Sequence, residues 1–154
     1  MAETGGESAG APGIVLVSHS REVAESVARL AAALAGGAGN VRVEPAGGDP
    51  GGGIGTDAEL ITAAARRADS GAGVAVLVDL GSAVLTVRAL LAEPREEDGE
   101  AAGDDPTEGL PVGTRLLDAP FLEGAVAAVV AAAGGADLEG VVEAAGEARD
   151  YRKR

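Results

Sequence analysis

Cysteine is absent from this chain of 154 residues, and so is tryptophan. The first absence excludes disulfides, thiolate nucleophiles and cysteine metal sites. Phe121 and Tyr151 are the only aromatic residues, so a core must be built from Val, Leu, Ile and Ala. Lysine is nearly missing too. Lys153 is the only one, which leaves no internal amine for a Schiff base or a phosphate-binding P-loop. Histidine occurs once, at His19. A zinc centre usually draws on several His or Cys ligands, so no metal is expected. Met1 to Pro12 has no apolar stretch of signal-peptide type, and no uninterrupted apolar run reaches membrane-spanning length. A cytoplasmic protein that does not enter the membrane is expected.

Acid, by contrast, is abundant. There are 25 Asp and Glu against 12 Lys and Arg, giving a formal net charge of −13. Such a surface repels nucleic acid and anionic membranes, and steers basic protein partners toward itself. The charge is uneven. Residues 93–111, "EPREEDGEAAGDDPTEGLP", carry eight acids and one arginine. They read as a mobile acidic loop. Residues 1–12 read as a disordered tail, 13–150 as one domain and 151–154 as a short tail.

Hydrophobic patterning alternates between two periods. Ile14–Val17 and Val74–Val78 are apolar at every position, as parallel strands covered on both faces tend to be. Val41–Glu44 alternates, as an edge strand does, and "GTRLLDAP" at 113–120 holds a fourth strand. Residues 20–35 read as a helix with Val23, Val27, Leu30 and Leu34 at helical spacing. Thr56 followed by Glu59 matches a capping box that opens a helix to about Ala68. Further helices are expected from "DLGSA" to about Ala92, over 120–133 and over 137–149. Strands alternating with helices predict an α/β fold with a mostly parallel sheet.

Such sheets bind ligands at the carboxyl ends of their strands. Three polar clusters fall there: Ser18-His19-Ser20, Asp79-Leu80-Gly81-Ser82 and Asp118-Ala119-Pro120. A carboxylate on one imidazole nitrogen fixes the tautomer and leaves the other nitrogen nucleophilic. Asp79 ends a strand that can lie beside that of His19, and amides near Gly81 and Ser82 can hold a phosphoryl group at a helix start. Other readings compete. His19 as a surface imidazole is the plainer one. Asp79 and Asp118 can be read as a magnesium pair or as helix caps, and the cap is favoured for Asp118. Ser18 and Ser20 can be caps alone. The loop "PAGGDPGGGIGTD" at 45–57 fails the dinucleotide spacing, because Thr56 stands where the third glycine belongs. No G-x-S-x-G elbow is present.

Taken in order, "GIVLVSHS", "GGIGTD", "VDLGSA" and "DAPFLEGA" resemble the DhaM family. These are the phosphocarrier subunits of phosphoenolpyruvate-dependent dihydroxyacetone kinase, in the mannose-type IIA group of the bacterial phosphotransferase system. The resemblance runs from about Gly13 to Arg149. It implies a doubly wound sheet of order 2-1-3-4 with helices on both faces, and a homodimer. It implies a phosphohistidine at His19, charged by phospho-HPr and discharged to ADP held on the partner subunit DhaL. The regenerated ATP then serves dihydroxyacetone bound on DhaK. No cofactor is implied on this chain itself.

The resemblance also makes Asp79 the residue that orients His19, and Gly81 and Ser82 the phosphate-holding turn. Ser18, Ser20, Gly53, Ile54, Gly55 and Thr56 border the site. Asp118, Pro120 and Glu123 match a motif that shapes the crevice. The acidic segment is longer than the family connection. Some members carry fused HPr-like and enzyme I-like domains, which this chain would have to borrow. Two rivals are a mannose-type component passing phosphate to a sugar IIB domain, and a non-catalytic ligand-binding or regulatory module. The sugar branch typically has a Gly-Gly-Ser-Pro-like turn where this chain has "DLGSA".

Overall fold

The computed structural model describes residues 10–93 and 109–154. Four strands form one sheet in the order β2-β1-β3-β4. They are β1 (Gly13–Ser18), β2 (Val43–Gly47), β3 (Val74–Val78) and β4 (Thr114–Leu116). All three pairings are parallel, with Ile14 opposite both Val43 and Ala75 and Val76 opposite Leu116. The helices are α1 (Arg21–Leu34), α2 (Ala58–Ala68), α3 (Gly81–Leu91), α4 (Phe121–Ala133) and α5 (Leu138–Glu147), followed by a 3₁₀ turn, Ala148–Asp150.

Strand side chains alternate between two cores. Ile14, Leu16, Ala75 and Leu77 face α1, α4 and α5. Val15, Val17, Val74 and Val76 face α2 and α3. This two-sided burial is why β1 and β3 read as unbroken apolar runs. The sheet is doubly wound, and the chain reverses direction across it between β1 and β3. That is where the carboxyl ends of adjacent strands leave an open crevice.

Helix α1 does not bury the stripe its large residues suggest. Ala24, Ala28 and Ala31 are buried, Val27 packs partly against the core, and Val23, Leu30 and Leu34 are exposed. Small side chains let the helix approach the sheet closely, and close packing there outweighs the greater hydrophobicity of Val and Leu. The edge strand β2 lies two residues later than the alternation in Val41–Glu44 predicts. It contains Pro45, which is tolerated because β1 bonds the other register: Ile14 N–H donates to the Arg42 carbonyl and Gly48 N–H to Ser18. The position of the missing proline N–H therefore faces the open edge. Asp57, not Thr56, caps α2, accepting from Leu60 N–H at 2.9 Å. The Thr56 hydroxyl instead meets that of Thr86 on α3.

Most of the acidic segment and of the predicted N-terminal tail falls outside the described residues. Their inner ends are packed. Leu110 is buried in the α2–α3 core. Pro12 is buried, and the Ala11 carbonyl accepts from Ser70.

Gly47 ties β2 to the start of α1. A Cβ there would stand 2.4 Å from the Ser20 carbonyl oxygen and 2.7 Å from the Arg21 Cα. Neither backbone atom can yield without moving the His19–Ser20 link. Gly47→Ala is expected to destabilise the fold by about 1–3 kcal/mol. Urea unfolding checks this, and wild-type stability in the variant would contradict it.

Candidate functional site

His19 and Ser20 form the two-residue link between β1 and α1. Ser20 caps α1, its hydroxyl accepting from Val23 N–H. Ser18 is not a cap. It is buried, its hydroxyl donates to Asp79 Oδ2 at 2.9 Å, and its oxygen accepts from Ser20 N–H at 3.0 Å. The link is thus fixed from both sides. Gly55 N–H also donates to the His19 carbonyl, at 2.9 Å.

Asp79 follows β3 directly, and its N–H bonds the Val17 carbonyl of β1. It does not cap α3. Leu80 holds the cap position without a side-chain bond. The carboxylate is spent on His19: Oδ2 accepts the His19 backbone N–H and Oδ1 meets Nδ1, each at 3.0 Å. Burial alone would raise this carboxyl. The bonds from the His19 amide, the His19 ring and the Ser18 hydroxyl outweigh it, with the imidazole charge, and hold Asp79 below its ordinary value of 3.8. An ionised Asp79 makes Nδ1 the protonated nitrogen and leaves the lone pair on Nε2. There the Ser82 hydroxyl stands at 2.6 Å. The side chains of His19 and Asp79 are 20% and 17% exposed, so the ring is oriented yet reachable.

Gly81 and Ser82 open α3, where an α-helix leaves its first N–H groups without intrahelical acceptors. Of the helices that follow strands at this edge, α1 and α2 are capped by the Ser20 and Asp57 side chains, while α3 and α4 have no side-chain cap. The N-terminal dipole of α3 therefore faces the site uncovered, as an anion-binding helix start does.

The glycine loop is closed by a residue that the sequence reading passed over. The Asp49 carboxylate accepts from Gly51 and Gly53 N–H, and Asp49 N–H donates to the Gly53 carbonyl. Gly52 and Gly55 have positive φ, of 89° and 150°. An Asp with glycines two and four residues on is the sequence signal for such a knot. The knot brings Gly55 against His19 and leaves Ile54 78% exposed beside it.

Asp118 is not a helix cap. Pro120 takes the cap position of α4. The Asp118 carboxylate pairs with Arg149 at 3.2 Å. Among the described residues no group of three or more metal-ligating side chains forms. Asp118 does line a cleft of about 330 Å³ together with Asp79, Leu80, Gly81 and Arg88. Glu123 pairs with Lys153. Among the described residues, no helix is long and apolar enough to cross a membrane.

The depressed Asp79 carboxyl has a pH consequence. The folded value lies below the unfolded one, so the carboxylate stabilises the fold fully above about pH 3.8. The contribution is lost as pH falls through the folded value. Asp79→Asn should therefore lose stability at neutral pH, with the gap to wild type closing below pH 3.8. Denaturation midpoints across pH 2–7 measure it, and a gap that widens with acid would contradict the assignment.

Comparison with known proteins places this geometry. The mannose-type EIIA family, described as the PTS system fructose IIA component, matches residues 13–142. The phosphoryl donor subunit DhaM of PEP-dependent dihydroxyacetone kinase from Pantoea ananatis is 37% identical over 136 residues, covering 86% of this chain and 26% of that protein. The Escherichia coli subunit of the same name is 33% identical over 131 residues, covering 84% and 25%. The chain thus spans about a quarter of the length of these curated relatives. A crystal structure titled as that of the unknown function protein EF1359 superposes with a TM-score of 0.70 at 26% identity, covering 93% of this chain and 97% of that one. With the sheet order, the histidine at the switch point and a family match over nearly the whole described domain, the chain belongs to the mannose-type IIA family of the phosphotransferase system.

Proposed function

We propose that this chain is a phosphoryl carrier of a PEP-dependent dihydroxyacetone kinase. His19 accepts the phosphoryl group from phospho-HPr and transfers it to ADP held on a DhaL subunit, which serves dihydroxyacetone on DhaK. One observation carries the chemistry: the His19 ring is clamped at Nδ1 by Asp79 while Nε2 faces the open crevice beside Ser82. The choice of acceptor is supported by the named relatives, which are phosphoryl donor subunits of that kinase.

In the first step the Nε2 lone pair attacks phosphorus. A new N–P bond forms, the donor's bond to phosphorus breaks, and its electron pair returns to the donor. The imidazole becomes cationic at the ring, and Asp79 steadies that charge through Nδ1–H. In the second step an oxygen of the ADP β-phosphate attacks the same phosphorus. The Nε2–P bond breaks and its pair returns to the ring. Ser82, now displaced from Nε2, donates to a phosphoryl oxygen, joined by the amides of Gly81 and Ser82. A homodimer also belongs to this reading. The exposed apolar flank of α1, Val23, Leu30 and Leu34, supports a self-association surface.

The test is phosphate transfer from phosphoenolpyruvate through enzyme I and HPr. Acid-labile, alkali-stable label is expected on wild type and not on His19→Ala. A folded wild type that takes no label from active HPr would sink the reading. Discharge is expected to DhaL·ADP; discharge only to a sugar IIB component would move the chain to the sugar branch. Ser82→Ala should label at His19 but transfer about 10-fold more slowly, the loss of one hydrogen bond to a charged group. Unchanged single-turnover rates in Ser82→Ala would remove its role.

A further inference from the structure

The most basic stretch of this acidic chain is bound to the catalytic edge. Residues 149–154, "RDYRKR", hold four of the chain's 12 Lys and Arg and only one of its 25 Asp and Glu. Their own net charge is +3, four cations less one carboxylate, in a chain of −13. The segment leaves the 3₁₀ turn after α5 and is exposed from Tyr151 to Arg154. Two surface ion pairs tie it to the fold. Arg149 holds Asp118, through its carboxylate and its carbonyl oxygen, and Lys153 holds Glu123. Asp118 lies just beyond β4 and Glu123 in the first turn of α4, so both anchors sit at the carboxyl edge of the sheet. Asp118 lines the same cleft as Asp79, Leu80 and Gly81. Among the described residues, Arg152 and Arg154 pair with no carboxylate.

We infer that residues 149–154 form a basic arm that receives the acceptor protein at the face where its nucleoside diphosphate is presented. This rests on the phosphoryl-carrier reading above. The electrostatic need is plain. The chain as a whole carries a formal net charge of −13, and Asp79 sits against His19. Phosphorylated His19 adds further negative charge. A diphosphate must then approach an anionic group across an anionic surface, which costs association rate at the long range where charges steer encounter. Arg149 and Lys153 are committed to anchoring. Arg152 and Arg154 remain for the incoming anion, and guanidinium groups suit phosphate recognition. The segment is open rather than enclosed. It would not sequester a free nucleotide, but it fits a protein that carries one at its surface.

The experiment measures association of DhaL·ADP with the unphosphorylated chain at about 0.01 M and about 0.15 M ionic strength. Arg152→Glu/Arg154→Glu should associate roughly tenfold more slowly than wild type at the lower salt and show a flatter salt dependence. Arg29→Glu, more than two turns along α1 from His19, serves as the charge control and should stay close to wild type. Asp118→Asn/Glu123→Gln separates position from net charge. It frees the arm while making the chain less acidic. A positioned arm predicts slower association, and net charge alone predicts faster. Wild-type rates and salt dependence in the Arg152/Arg154 variant would overturn the arm and leave the carrier reading standing. Faster association by Asp118→Asn/Glu123→Gln would overturn it likewise. No binding of DhaL·ADP by wild type would overturn both the arm and the acceptor assignment. Slowed association with HPr, and not with DhaL·ADP, would overturn the choice of partner.

Discussion

The contact between Asp79 and His19 organises the site and ties it to the fold. One carboxylate accepts the backbone N–H of His19, its ring Nδ1 and the Ser18 hydroxyl. It therefore fixes the turn that leaves β1, the direction of the ring and the tautomer in one stroke. This is possible only because β1 and β3 are neighbours in the sheet, with Val17 opposite Val78. The order 2-1-3-4 is thus a condition of the chemistry. Moving β3 one place outward would leave Asp79 about 5 Å too far for a hydrogen bond.

Around that contact the remaining parts divide by what they supply. The knotted glycine loop holds the His19 carbonyl through Gly55 and places Ile54 on the rim. The head of α3 has no side-chain cap, which leaves its first N–H groups open, and the Ser82 hydroxyl touches Nε2. The edge beyond β4 supplies a basic segment held by Asp118 and Glu123. His19, the head of α3 and the basic segment lie along one edge. The rest of the sheet is covered by two apolar cores built largely from alanine and β-branched residues.

Much of this was legible in the sequence, for identifiable physical reasons. Fully buried parallel strands write themselves as unbroken apolar runs, so β1 and β3 were clear, and with them the crevice that holds His19 and Asp79. What failed were distinctions between close alternatives. Thr56 and Asp57 are both good caps, and only tertiary contact with Thr86 decides between them. Alanine reads as weakly hydrophobic, so helical spacing singles out Val23, Val27, Leu30 and Leu34, whereas Ala24, Ala28 and Ala31 are the buried residues and only Val27 of the four packs partly against the core. Asp118 was read as a cap because its pairing with Arg149 joins residues 31 apart, and no local pattern records such a contact. The same distance hid the basic segment's place beside the site.

The central claim is that Asp79 reserves Nδ1 and presents Nε2 for phosphorylation. Heteronuclear NMR correlating phosphorus with the ring nitrogens of the phosphorylated protein reads this directly. Phosphorus coupled to Nε2 of His19, with Nδ1 still protonated, is the predicted result. A phosphoryl group on Nδ1, or on any residue other than His19, would contradict the account.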